Sequence, residues 1–382
     1  MSVRGIIRGI VLLAAVFAVV RFVALAFLDY SATARALVWM APDSRDIERF
    51  PARAIAASYR PLPLPAPEVT STALARLKVK DIPLESFLNS GDTTAFLVAH
   101  GEELLFEGYY HGTTRETVHS PYTLALPFVS TLVGLAVADG FVDPDDPVAL
   151  HLPEFGVDDE RLRAVTLRHL LTMASGLAYQ RRDLPWSDDS IAYYSPDLRR
   201  TAMAVEYKQP PGEKLKFNLF NPLLIGMVLE RATGMEVASY LEQRLWQPVG
   251  AEAAASWSLD SEDSGFERMH SGLNGRAVDF LKLGILYAQE GQIGRKQVLH
   301  PSFITEATRV ETALDPALHY QFLWHVFEDR SSFAAYGDHG QILYVDPVAD
   351  LAILRLGQSD DGLKSHEWFD LMDQIVGILS NG

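Results

Sequence analysis

The order of strand-like and helical patterns constrains the fold of this chain more than any other feature of its sequence. Two apolar, strand-like runs at 93–99 and 102–108 are separated by a His-Gly pair, which is typical of a hairpin. Two further strand-like runs, 342–345 and 351–356, lie near the carboxyl end. The chain therefore predicts an antiparallel sheet to which both ends of the body contribute, with a helical region inserted between them.

The helical patterns have apolar spacing typical of helices that pack on a core. They lie at 127–139, 165–173, 221–233, 237–245, 279–289 and 365–379. Because most of them lie between the two pairs of strands, we expect an α/β (α+β) fold. In it, a helical region is inserted between the two parts of the antiparallel sheet.

Charge and composition exclude several classes of function. The 382 residues include 33 Lys and Arg against 49 Asp and Glu, a formal net charge of -16, which argues against a nucleic-acid partner. The chain has no cysteine, so disulfides, thiolate nucleophiles and cysteine-ligated metals are excluded. The 11 histidines show no tight metal-ligand spacing, and no glycine-rich phosphate loop is present. We expect neither a metal nor a cofactor.

The amino-terminal segment predicts the location of the protein. Residues 9–28 are apolar except for Arg21, and Arg4 and Arg8 precede them. This pattern predicts one transmembrane helix within residues 1–28 and a single-pass inner-membrane protein. The preceding arginines favour a body on the periplasmic, extracytoplasmic side. A cleaved signal peptide with its small-residue site at 24–26 is the alternative, and a buried core helix is a third possibility.

The chain between this segment and the body has a different composition. Residues 29–75 show little periodicity, and proline occupies alternate positions within 60–67. Such a sequence favours an extended conformation without regular hydrogen bonds. We therefore expect a proline-rich linker at 29–75, followed by one domain at 76–382.

Several short motifs in the body together resemble one known family. They are Phe128-Val-Ser-Thr-Leu-Val-Gly-Leu-Ala136, Asp145-Asp-Pro147, Leu167-Arg-His-Leu-Leu-Thr-Met-Ala-Ser-Gly176, Pro211-Gly212, Leu229-Glu-Arg-Ala-Thr-Gly234, Leu245-Trp-Gln-Pro-Val-Gly250, Gly272-Leu-Asn274 and His339-Gly-Gln341. This set resembles the serine β-lactamase-like hydrolases: class C β-lactamases, penicillin-binding proteins and 6-aminohexanoate-dimer hydrolases. The resemblance covers roughly residues 76–382. It implies an α/β (α+β) β-lactamase-like sandwich, in which helices flank the antiparallel sheet and the inserted helices form an all-helical subdomain.

The resemblance also implies which residues carry the chemistry, and here the chain departs from the family. The family uses Ser-x-x-Lys, in which lysine activates the serine nucleophile. Thr123 occupies the serine position and Leu126 the lysine position. Phe217 occupies the position of the tyrosine that serves as acid and base, and Leu219 that of a polar residue. Neither Leu126 nor Phe217 can take a proton, and Pro127 predicts that the helix begins after Thr123.

Other polar residues remain candidates for the site. His339 follows Asp338 in the third motif and is either a general base or a turn residue. The residues expected to contact a substrate are Asn218, Tyr194, Trp186, Gly340 and Gln341.

These observations lead to three functional hypotheses. The first is an exported, membrane-tethered family member that binds a small amide, ester or peptidoglycan-like ligand, with little or no hydrolysis. The second is an active amide or ester hydrolase that uses Thr123 and His339. The third is a non-catalytic binding or structural protein of the envelope. The sequence does not fix the oligomeric state.

Overall fold

The computed structural model describes residues 3–28, 31–67, 74, 76–182, 184–310, 314 and 319–380. Its strands are β1 (Ala52–Ile55), β2 (Lys78–Val79), β3 (Ile82–Pro83), β4 (Thr93–His100), β5 (Glu103–Tyr109), β6 (Val118–His119), β7 (Ala255–Ser258), β8 (Leu273–Arg276), β9 (Gln292–Ile293), β10 (Lys296–Gln297), β11 (Tyr320–Gln321), β12 (Trp324–Val326), β13 (Phe333–Gly337), β14 (Gln341–Asp346) and β15 (Leu351–Gly357).

The helices before the candidate site are α1 (Val3–Leu25), α2 (Ala32–Trp39), α3 (Asp46–Arg49) and α4 (Leu84–Ser90). Those that follow are α5 (Leu126–Ala138), α6 (Val148–His151), α7 (Leu167–Leu171), α8 (Asp188–Tyr194), α9 (Leu198–Met203), α10 (Phe220–Thr233), α11 (Val237–Leu241), α12 (Ala277–Ala288), α13 (Pro301–Ala307) and α14 (Ser365–Ser380). The predicted helical segments all contain a helix, with boundaries that differ by a few residues.

The main sheet has seven antiparallel strands in the order β11-β12-β13-β14-β15-β4-β5. Strand β15 pairs with β4, so the two ends of the body meet in the middle of the sheet. Strands β4 and β5 form the predicted hairpin, and Gly101 in its turn has a φ of 55°. The expected antiparallel sheet flanked by helices is confirmed.

The sheet separates two apolar cores. On one face, Phe333 and Ala335 of β13 belong to a large core shared with α5, α10 and α12. On the other face, Ala334 belongs to a second core shared with α4 and α14. Side chains alternate between the faces of a strand, so each residue of β13 is assigned to one core by its position.

The amino-terminal segment differs from the prediction. In the described part of the chain, no helix is long and apolar enough to cross a membrane. Large apolar side chains along α1 are nevertheless exposed, including Leu13 at 77% and Phe22 at 76%. Arg21 donates a hydrogen bond from Nη2 to the Val38 carbonyl of α2 at 2.6 Å, so its charge lies at a helix–helix contact.

The segment expected to be a linker contains ordered elements. It contributes α2, α3 and β1, and β1 pairs with β7. The proline-rich run has no regular secondary structure, as expected, but Leu64 within it is fully buried, and the Leu62 N–H donates to the Gly250 carbonyl at 2.9 Å. Residues 68–73 and 75 of the expected linker lie outside the described residues.

Candidate functional site

Thr123 lies just before α5, in a 3₁₀ turn formed by Tyr122–Ala125. Helix α5 begins at Leu126 with Pro127 in its first turn, where a proline costs no helical hydrogen bond. The prediction that the helix begins after Thr123 is therefore confirmed. Tyr122 has a φ of 49°, which is strained for a residue with a side chain, so the backbone is held in an unusual conformation beside Thr123.

The Thr123 hydroxyl contacts the end of β13. Its Oγ1 accepts a hydrogen bond from the Asp338 backbone N–H at 3.2 Å. A Cβ on Gly337 would lie only 2.4 Å from the same Oγ1, so glycine is needed for this close approach. Within the described residues, the Thr123 hydroxyl has no hydrogen bond to a basic side chain. A hydroxyl nucleophile needs an adjacent base to remove its proton, and none is hydrogen-bonded to this hydroxyl in the described arrangement.

Apolar side chains occupy the positions at which the resemblance predicts the family's lysine, tyrosine and second polar residue. Leu126 is 3% exposed and Leu219 is 8% exposed, and both belong to the larger core. Phe217 is half-buried; its ring packs edge-on against Tyr320 at a centroid distance of 6.5 Å. Neither Leu126 nor Phe217, the residues predicted at the lysine and tyrosine positions, can donate or accept a proton.

The third motif forms the turn between β13 and β14. His339 has a φ of 62°, and its ring lies 4.7 Å from the ring of Tyr122. His339 is thereby brought beside the Thr123 turn, although no hydrogen bond between their side chains is present among the described contacts. The prediction that His339 belongs to the site gains a geometric basis, while its role as a base stays a prediction.

Gly340 and Gln341 are bound to the sheet behind the turn. The Gly340 carbonyl accepts a hydrogen bond from Nη1 of the buried Arg355 at 2.5 Å. The Gln341 side chain is 1% exposed and exchanges two hydrogen bonds with the Gly357 backbone, at 2.5 and 3.2 Å. These contacts hold the turn in place. They also occupy the Gln341 amide that was expected to meet a substrate.

The structure adds Asp338 and Arg181 to the site. Asp338 reaches solvent, but the protein around its carboxyl removes hydration and raises its pKa, whereas the nearby Arg181 and His339 act in the opposite direction. The Arg181 guanidinium also lies 5.7 Å from the Phe217 ring centroid. Arg181 belongs to an irregular loop without a motif, so no pattern in the sequence indicated it.

Asn218 is a polar group next to Phe217 with unused hydrogen-bonding capacity. It is 1% exposed, and its Oδ1 accepts from the Phe220 N–H at 2.9 Å. Its Nδ2 has no partner among the described atoms. A buried amide donor without a partner is costly, so Asn218, which was expected to contact a substrate, keeps one donor unused among the described contacts.

The two aromatic residues expected at the mouth of the site differ in position. Trp186 is 62% exposed, so it is accessible to a ligand. Tyr194 is 2% exposed and donates from its hydroxyl to the Met40 carbonyl at 2.7 Å. Its ring packs against Trp39 and Phe50, so its described contacts are with the amino-terminal segment rather than with Thr123.

Among the described residues, no group of three or more His, Cys, Asp or Glu side chains is placed to hold a metal ion.

Comparison with known proteins gives consistent results. The family profile described as Beta-lactamase matches residues 91–373. A 6-aminohexanoate-dimer hydrolase from Paenarthrobacter ureafaciens is 24% identical over 349 residues, which cover 84% of this chain and 86% of that protein.

Two solved structures support the fold. A Bacillus anthracis protein assigned to the 6-aminohexanoate-dimer hydrolases superposes with a TM-score of 0.78 at 18% identity, over 88% of this chain and 93% of the other. A penicillin-binding protein from Bacillus halodurans gives a TM-score of 0.61 at 17% identity, over 77% of this chain and 99% of the other. At these identities the likeness concerns the fold alone.

Proposed function

This chain belongs to the beta-lactamase family of hydrolases, and on that premise we propose that it binds an amide- or ester-bearing ligand with little or no turnover. The observation that carries the proposal is the surroundings of the Thr123 hydroxyl. Its hydrogen bond comes from a backbone N–H, and the lysine and tyrosine positions of the family motifs hold Leu126 and Phe217. A positioned base typically supplies about 10²–10⁴-fold in rate, and that contribution is missing here.

The ligand class follows from the fold family and from the polar groups that remain. Asn218 offers an unpaired amide donor, and Arg181 offers a guanidinium beside Phe217. Such groups suit the carbonyl and carboxylate oxygens of a small amide, an ester or a peptidoglycan fragment. On this proposal the family fold persists as a binding protein, a pseudoenzyme by descent.

An active hydrolase that uses Thr123 and His339 is the second candidate. The observation in its favour is the 4.7 Å separation of the His339 and Tyr122 rings, which places an imidazole beside the Thr123 turn. A movement of the turn on ligand binding would be needed to bring the imidazole to the hydroxyl, because catalytic contacts can tighten only in the bound complex.

Intact-mass spectrometry distinguishes these two functions. We expect no covalent adduct after incubation of the protein with β-lactams, activated esters or fluorophosphonates, because the Thr123 hydroxyl is not activated. The control is the Thr123→Ala variant, which should likewise carry no adduct. A stoichiometric adduct that maps to Thr123, or ester turnover that Thr123→Ala abolishes, would establish the active hydrolase instead.

We also propose that α1 attaches the protein to the inner membrane, with the body on the extracytoplasmic side. The exposed apolar side chains of α1 support the attachment, because apolar surface of this kind is stabilised in lipid. We expect the full chain to sediment with membranes and a chain lacking residues 1–28 to remain soluble. Protease should digest the body in spheroplasts but not in intact cells. A full chain found in the soluble fraction would contradict the attachment.

A further inference from the structure

A cavity of about 430 Å³ lies between the β11–β13 edge of the main sheet and the beginning of α14. Its lining includes Phe327, Tyr336 and Phe369, together with His325, Glu328 and Asp329. This volume falls within the range of small-molecule sites in proteins.

The cavity is on the opposite face of β13 from Thr123. Gly337 approaches the Thr123 hydroxyl, and Tyr336 precedes it on the same strand, so their side-chain directions alternate. The Tyr336 ring accordingly packs with the second core, at 5.8 Å from Phe369 of α14. A ligand in the cavity would therefore be separated from the Thr123 site by the sheet itself.

Aromatic rings form much of the wall. The Phe327 and Phe369 rings are 5.0 Å apart at an interplanar angle of 60°, and the Tyr336 ring is nearly perpendicular to Phe369 at 79°. Arg330, outside the lining, places its guanidinium 5.1 Å from the Phe327 ring centroid. The same aromatic cluster thus already stabilises one cation through the negative face of a ring.

The charges at the mouth are negative. Glu328 and Asp329 are 71% and 77% exposed, and among the described residues that line the cavity none is Lys or Arg. Outside the lining, Arg330 is shared between Asp329 at 3.3 Å and Asp370 at 3.1 Å, so one guanidinium faces two carboxylates. Glu328 lies 3.5 Å from the His319 ring, which also lines the cavity.

Burial lowers the pKa of His325 to about 4, so its imidazole is neutral at pH 7. The positive end of α14 is already capped, because the Glu367 carboxylate accepts a hydrogen bond from the Lys364 N–H at 2.8 Å.

We propose that this cavity is a binding site for a small organic cation, such as an alkylated ammonium group. The negative faces of aromatic rings attract a cation, and the carboxylates at the mouth add a favourable electrostatic potential. An anion would meet two carboxylates, and a neutral ligand would gain only the apolar contact.

A matched pair of ligands tests the proposal on the full, unsubstituted chain. Choline and 3,3-dimethylbutan-1-ol have the same shape, but only choline carries a charge. We expect ligand-observed NMR titrations to show choline binding at least about tenfold more tightly than the alcohol. Equal affinities, no choline binding, or binding of acetate in preference to choline would each overturn the proposal.

Variants locate the site. Phe369→Leu keeps an apolar side chain but removes a ring, and we expect it to weaken choline binding about fivefold or more. Glu328→Gln with Asp329→Asn should also weaken it, whereas Glu103→Gln, at the other edge of the sheet, should not. Choline binding that is unchanged in a folded Phe369→Leu protein would overturn the location. If that variant does not fold, the charge variants and their Glu103→Gln control decide whether choline binds in this cavity.

Discussion

Leu126→Lys is expected to lower the free energy of unfolding by about 4 kcal/mol at pH 7, the equivalent of a fall of roughly three units in the lysine pKa. Leu126 is 3% exposed and lies in the larger core. On the predicted alignment, Phe217 stands at the position of the family's tyrosine, and its phenyl ring offers no hydroxyl as a partner for the new ammonium group. Urea or thermal unfolding followed by circular dichroism measures the change.

The pH dependence of the stability of Leu126→Lys shows whether the buried charge causes the destabilisation. The folded-state pKa of a buried lysine lies below its unfolded value of about 10.4. The destabilisation is therefore complete below the folded pKa and is lost as the pH rises towards the unfolded value. The control is Leu126→Met, which should cost less than about 1.5 kcal/mol at any pH. Equal stability of the lysine and methionine variants at pH 7 would show that position 126 is not an apolar environment.

The full set of family residues extends this test to function. Restoring Thr123→Ser, Leu126→Lys, Phe217→Tyr and Leu219→Ser together should still give a protein that melts below the present chain, because active sites commonly sacrifice stability. A gain of esterase activity in that protein would support the alignment of these positions. A higher melting temperature would contradict the idea that the apolar residues stabilise the fold. Adding Pro127→Ser tests separately whether the proline keeps the restored residues out of register.

Arg355→Met is expected to cost about 3–5 kcal/mol of stability, because it leaves a buried charge without its partner. The Arg355 guanidinium is fully buried and bonds the Asp361 carboxylate at 2.7 Å. It also donates to the Gly340 carbonyl at 2.5 Å and to the Thr93 hydroxyl at 3.0 Å. Chemical unfolding measures the loss, and hydrogen exchange should show faster exchange in the His339 turn.

A second substitution checks that the ion pair causes this loss. In the native protein, burial raises the pKa of Asp361, but the charge and hydrogen bonds of Arg355, with other hydrogen bonds, outweigh it and lower the pKa overall. Stability from this pair is therefore present at neutral pH and is lost as the pH falls through the folded-state pKa. Adding Asp361→Asn to Arg355→Met should recover part of the stability. If the double variant is no more stable than Arg355→Met alone, the unpaired carboxylate is not the cause.

The elements with a regular sequence pattern were predictable, and the irregular segments were not. The β4–β5 hairpin and the helix at Leu126–Ala138 follow from the alternation and spacing of apolar residues. The alignment that places Leu126 and Phe217 at the family's lysine and tyrosine positions rests on the motifs alone and stays a prediction. Arg181 could not be predicted, because its place beside Phe217 depends on tertiary contacts of a loop without periodicity.

The same reason explains why the contacts of the amino-terminal segment could not be predicted. Composition indicated that the proline-rich run would lack regular secondary structure, and the run indeed contains no helix or strand. Composition carried no information about which residues of the body it would contact. The burial of Leu64 and the bond between Tyr194 and the Met40 carbonyl depend on residues distant in sequence, for which local patterns hold no signal.

The way the His339 turn is fastened has a thermodynamic consequence for any ligand at the Thr123 site. Arg355 and Gln341 fix this turn from the side of the sheet, so one wall of the site is already ordered in the free protein. A ligand that docks there does not have to immobilise that wall, which reduces the entropy lost on association. Affinity would then depend mainly on the fit and the rigidity of the ligand, and stiff, cyclic compounds would be better probes than flexible chains with the same polar groups.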